Sequence, residues 1–139
     1  MIRIVPGSTR PAKPSLAIVL VYEGAALEKA PYGDAALATH AKADGFKGEK
    51  EKSFYLPGNP RRLVLGLGAE KTADLEAYRR AGLTAARRAR ELKVEEAVLS
   101  FPASAKKEQA GAAAEGAWLG LYQYKEGKGK PAADAKPGV

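Results

Sequence analysis

The stretch RLVLGLGAEKTADLEAYRRAG, residues 62–82, passes from an apolar run through a Gly-Leu-Gly turn into the start of an amphipathic helix. Strand, turn and helix in that order form the unit from which parallel sheets are built, because the helix carries the chain back to start the next strand alongside the first. The strand is read as Leu63 to Leu67. The helix is expected from Ala73 to Leu92, with Thr72 as its N-cap and with Asp74 and Glu76 in the first turn, where negative charge meets the positive end of the helix dipole. Leu75, Tyr78, Gly82, Ala85, Ala89 and Leu92 recur at the spacing of one helix face, a stripe suited to lie on a sheet. The opposite side carries Arg79, Arg80, Arg87 and Arg90, with Leu83 projecting among them.

Upstream, SLAIVLVY (residues 15–22) is nearly continuous in apolar side chains, which suggests a strand covered on both faces. Ile2 to Val5 reads as a short first strand closed by Pro6-Gly7-Ser8, and Lys52 to Leu56 as a further strand. Between them, Ala25 to Ala30 and Tyr32 to Lys42 read as a helix broken at Pro31. Pro57-Gly58-Asn59-Pro60 gives a tight reversal. Downstream, Glu95 to Ser100 supplies a strand and Lys106 to Tyr122 a second long helix rich in Ala and Gly. Strands that alternate with helices, the central ones apolar on both faces, predict an α/β fold with helices on both sides of the sheet. From Lys125 the chain turns to Gly, Pro, Lys and Ala without periodicity, so residues 1–124 are expected to form one domain and residues 125–139 a flexible linker or tail.

Composition narrows the chemistry. The chain has 139 residues and no cysteine, which removes disulfides, thiolate metal ligands and thiol catalysis. No apolar run approaches the roughly 18 residues of a membrane helix, and the N-terminus MIRIVPGSTRP has no signal-peptide core. A cytoplasmic protein without membrane contact is the expectation. One His, one Asn and two Gln against abundant Ala, Arg, Glu, Lys and Pro suggest a heat-adapted source. The net charge of +7 is spread along the chain rather than gathered in a basic arm.

The glycine turn invites a phosphate, yet its surroundings do not suit one. A dinucleotide loop needs a third glycine where Lys71 stands and an acid closing the next strand, which here ends Ser100-Phe101-Pro102. A P-loop would need Gly-Lys-Ser/Thr, which is absent. The favoured reading is structural: Gly66 admits a neighbouring chain close to the strand, and Gly68 takes a turn conformation closed to other residues. The arginine face is an ordinary solvated helix surface unless it docks an acidic partner or nucleic acid. His40 has no companion for a metal site, and no GxSxG elbow is present. Glu115 stands out inside AGAAAEGAWLGLYQY, where it is expected to be buried with a partner or turned toward a neighbouring structure, a structural hydrogen bond being the favoured reading.

Taken in order, Tyr22-Glu23-Gly24, Gly45-Phe46-Lys47-Gly48-Glu49, Arg61 to Gly68, the long helix, and Ala114-Glu115-Gly116-Ala117-Trp118-Leu119-Gly120-Leu121-Tyr122-Gln123-Tyr124-Lys125 resemble the N-terminal domain of the leucyl aminopeptidase (cytosol aminopeptidase) family. The resemblance implies a macrodomain-like three-layer α/β/α sandwich with a mixed, mostly parallel sheet. It also implies a parent enzyme that removes N-terminal residues from peptides with two divalent metals (zinc, manganese or magnesium), held in a separate C-terminal catalytic domain and commonly assembled as a homohexamer. None of the metal ligands falls within these residues, so this chain alone is expected to be a non-catalytic accessory domain for assembly or regulation, with no catalytic, cofactor or metal site of its own. The alternative is a nucleic-acid-binding module that uses Arg79, Arg80, Arg87 and Arg90, with Leu83 in their midst, since some bacterial members of the family bind DNA.

Overall fold

The computed structural model describes residues 3–6, 15–58, 60–102 and 104–129, with side chains from 15 to 121 within those ranges. In chain order the elements are β1 (Arg3–Pro6), β2 (Leu16–Val21), α1 (Ala35–Asp44), β3 (Ser53–Leu56), β4 (Arg61–Gly66), α2 (Leu75–Glu91), β5 (Glu96–Ser100) and α3 (Lys107–Gly129). The strands form one sheet in the order β1-β5-β2-β4-β3. β1, β5, β2 and β4 run parallel, and β3 pairs antiparallel with β4 at the edge. The predicted α/β sandwich and its mixed, mostly parallel sheet are both present.

Both faces of the sheet are covered, which is why β2 is buried at every position. Leu16, Ile18, Leu20, Leu63 and Leu65 point to one face, where Tyr78, Ala81, Ala85 and Ala89 of α2 and Ala112 and Ala113 of α3 close over them. Val19, Val21 and Val64 point to the other, against Leu37 and Ala41 of α1 with Phe46 and Phe54. Each such aliphatic side chain removed from water stabilises the fold by roughly 1.5–3 kcal/mol. The alternation of even and odd positions along one strand therefore builds two cores from one apolar run.

Helix α3 lies directly on α2, and small residues make that possible. A Cβ on Gly82 would fall on the Ala113 carbonyl, and one on Gly116 on the Arg79 carbonyl. The two backbones meet where no side chain stands between them. The Ala- and Gly-rich composition of the second long helix is thus the mark of a helix packed on a helix, not only on a sheet.

Several boundaries differ from the sequence reading. Thr72 does not cap α2: it ends a 3-10 turn (Glu70–Thr72), and the cap is Asp74, whose carboxylate accepts from the Ala77 N–H at 2.9 Å. Ala25 to Ala30 is not a helix but a single 3-10 turn, Leu27–Lys29. The following helix starts at Ala35, later than Tyr32, because Tyr32 has φ 61° and Asp34 caps the helix by accepting from Leu37 N–H at 2.8 Å. Leu75, placed on the buried stripe, is 45% exposed at the first turn of α2. The backbone of α3 continues through Lys125 to Gly129, past the expected end at Tyr122. The first-strand residue Ile2, the Gly7-Ser8 turn, Asn59 and residues 130–139 of the expected tail lie outside the described residues.

Candidate functional site

In open α/β sheets ligands settle beyond the carboxyl ends of the strands, where connections leave to opposite faces. Here α1 follows β2 on one face and α2 follows β4 on the other, so one such crevice lies between Val21-Tyr22-Glu23 and Gly66-Leu67-Gly68. The chain itself fills it. Gly66 N–H donates to the Lys52 carbonyl at 2.9 Å, Leu67 N–H to Val21 at 2.8 Å and Gly68 N–H to Gly48 at 3.1 Å. From the other side, Glu23 N–H donates to the Gly68 carbonyl at 2.9 Å and Gly24 N–H to Lys47 at 3.0 Å. All three amides of the turn are taken, so none is left to hold a phosphate. The glycines serve this filling. A Cβ on Gly66 would land on the Glu49 carbonyl, a Cβ on Gly48 would stand 2.6 Å from the Tyr22 carbonyl, and Gly68 has φ 83°. Both structural roles read from the sequence, close approach at Gly66 and a turn conformation at Gly68, are present.

Beneath this plug the Tyr22 and Tyr78 hydroxyls meet at 2.5 Å with their rings edge to face. Tyr78 is fully buried. Burial, and then the Tyr22 hydroxyl, push its phenol well above the ordinary value. This pair joins the end of β2 to the first turn of α2 and is a structural contact.

Among the described residues, smaller concavities of about 460 and 250 Å³ lie near the carboxyl ends of β2 and β5, and a further one lies between α2 and the edge formed by β3 and the loop before it. It is a groove of about 510 Å³. Its floor is apolar, from Leu65, Leu67, Ala77 and Ala81, and its rim carries Lys50, Lys52, Arg80 and Arg87 against Glu51 and Glu76. Arg80 bridges the two carboxylates, to Glu51 at 3.0 Å and to Glu76 at 3.1 Å. Arg79 binds the same Glu76 at 2.9 Å and reaches Glu115 of α3 at 3.1 Å. The hydrogen bonds from Arg80 and Arg79 hold the Glu76 carboxyl below its usual range.

The predicted arginine face is thereby divided. Arg80, Arg87 and Leu83 line the groove. Arg79 is turned to the acids, and Arg90 donates to the Leu121 carbonyl of α3 at 3.1 Å. Leu83 is half-buried and touches the Gly120 position of α3, which accounts for an apolar residue among the cations. Glu115 is not buried as one reading had it: it is exposed and paired with Arg79 of the neighbouring α2, a helix-to-helix tie. The sequence reading missed Lys50, Glu51 and Lys52. Their signal was the run GEKEKS ahead of a short strand, since lysines commonly flank a strand that lies at a sheet edge. Among the described residues no three His, Asp or Glu side chains converge as a metal cage.

Residues 18–131 match the model of the N-terminal domain of the cytosol aminopeptidase family. Solved structures with the same fold include a mutant of tomato leucine aminopeptidase, at 19% identity and a TM-score of 0.69, over 88% of this chain and 28% of that one. The bottromycin maturation enzyme BotP in complex with Mn matches at 24% identity and a TM-score of 0.62, over 81% of this chain and 24% of that one. The chain thus spans about a quarter of each solved chain. No curated sequence matches it. With the matched segment reaching from inside β2 to beyond the described part of α3, the chain belongs to the cytosol aminopeptidase family, as its N-terminal domain.

Proposed function

We propose that the chain is the non-catalytic accessory domain of a two-metal leucyl aminopeptidase, serving its assembly or regulation beside a C-terminal catalytic domain of the same protein. The observation that carries this reading is the family match over residues 18–131. The crevice filled by Gly48 and Glu49, with every amide of the 66–68 turn in use, supports it. In this reading the residues after α3 lead toward the catalytic domain, which supplies the ligands for two zinc, manganese or magnesium ions, and the parent is a cytoplasmic homohexamer. The pure 139-residue chain should not hydrolyse leucine p-nitroanilide with added manganese or zinc. Turnover by it would overturn the proposal.

A nucleic-acid interface on α2 is less favoured, because Arg79 and Arg80 already spend their charge on Glu76, Glu51 and Glu115. The scarcity of Asn, Gln and His supports a heat-adapted source, for which calorimetry should give a cooperative melt above about 65 °C, beyond the range of mesophilic domains.

A further inference from the structure

Strand β3 has a neighbour on one side only among the described residues. Because the Lys52 carbonyl accepts from Gly66 N–H, the two-residue alternation of an antiparallel pair turns the Phe54 and Leu56 peptide groups toward β4 and those of Ser53 and Tyr55 outward. Outward N–H and C=O groups on an edge are a template for another strand. Beside that edge, on the α2 face, runs the groove with its apolar floor.

The charges along it are unbalanced in a particular way. Both rim carboxylates are held by Arg80, and Glu76 by Arg79 as well. Lys50, Lys52 and Arg87 form no salt bridge among the described residues. Lys52 also acts through space on Glu49, helping to hold its carboxyl below the usual range. An incoming chain therefore finds unused amides on one wall, apolar surface at the base and unmatched positive charge at the lip.

We propose that the β3 edge and the adjoining groove bind an acidic, extended peptide segment as a sixth strand, its acidic side chains meeting Lys50, Lys52 and Arg87. Main-chain hydrogen bonds supply affinity in strand addition, and alternate side chains supply selection. Nucleic acid suits the site less well, because it would use neither the outward amides nor the apolar floor. The inference holds whether or not the parent protein cleaves peptides, so its failure would leave the accessory reading standing.

The test is fluorescence anisotropy of the 139-residue chain with a short labelled peptide alternating valine and glutamate, compared with one alternating valine and lysine. Saturable binding is expected for the acidic peptide, at least about tenfold tighter than for the basic one. The K52E/R87E double variant, changed at exposed positions, should reverse the preference. S53P removes an outward amide without touching the ladder to β4 and should abolish binding while circular dichroism stays unchanged. Should S53P fail to fold, slowed exchange of the Ser53 and Tyr55 amides in the native chain on adding peptide gives the same answer. Absence of saturable binding, equal binding of the two peptides, or an unchanged preference in K52E/R87E would overturn the proposal. So would a labelled duplex DNA that binds more tightly than the acidic peptide and is lost in the same double variant.

Discussion

At position 66 a methyl group would have to share the space of the Glu49 carbonyl, so Gly66→Ala is expected to destabilise by about 2–3 kcal/mol, read as a lower urea midpoint. Gly111 makes the contrast. A Cβ there meets nothing within 4 Å on an exposed turn of α3, and Gly111→Ala should stabilise by about 1 kcal/mol through helix propensity alone. Two glycines of one chain thus answer the same substitution with opposite signs. Tyr78 carries a residue-scale pH dependence. Its phenol is raised in the fold, so the stability it contributes is complete below the unfolded tyrosine value and is lost as pH climbs above about 10. Urea midpoints followed from pH 8 upward should fall more steeply for the native chain than for Y78F.

At the scale of the element, α2 is the instructive case. Asp74 accepts from Ala77 N–H, while the Thr72 hydroxyl donates to the Ala69 carbonyl within the preceding turn. D74A should therefore cost about 1 kcal/mol, and T72A clearly less, in the same denaturation assay. Both residues are good capping types two positions apart, and local preference alone does not choose between them. The choice is made by how the 3-10 turn Glu70–Thr72 leaves the plug at Gly68. The stripe Tyr78, Gly82, Ala85, Ala89 was legible because it repeats at helical spacing, and these residues are buried. What the spacing could not reveal is that α2 has two partners. Ala77 and Ala81 are buried too, and Gly82 meets α3, so the apolar arc is wider than one sheet-facing stripe. In the same way Leu83 read as an oddity among arginines until α3 lay beside it.

Across the whole molecule, Glu51, Arg80, Glu76, Arg79 and Glu115 form one chain of ion pairs that ties the loop before β3 to α2 and α2 to α3. All five groups are at least partly exposed, so the chain fastens element ends and does not replace the core. Glu76 is depressed by Arg80 and Arg79, and Asp34 by the Leu37 N–H and then by Arg62. Depressed carboxyls stabilise above their unfolded values and lose that contribution as pH falls below about 4. E76Q should flatten the acid limb of a stability-against-pH curve and lessen its dependence on salt, measured by urea midpoints at low and high ionic strength. The α/β class and the burial of the central strands on both faces were readable from residues 15–22 and 62–82, because such burial writes itself as unbroken apolar runs. The groove was not readable, since it joins Lys50 and Lys52 to Arg87 across a fold that only the pairing of β3 with β4 brings together.

The loop at Gly48 and Glu49 carries a last consequence. Segments outside helices and strands usually exchange their amide hydrogens with solvent within the dead time of an experiment. Here the amides of Glu23, Gly24, Leu67 and Gly68 donate to the carbonyls of Gly68, Lys47, Val21 and Gly48, in a seam that closes the end of the sheet. Their deuterium uptake should lag with that of the strands, and they should open only when β2 and β4 part.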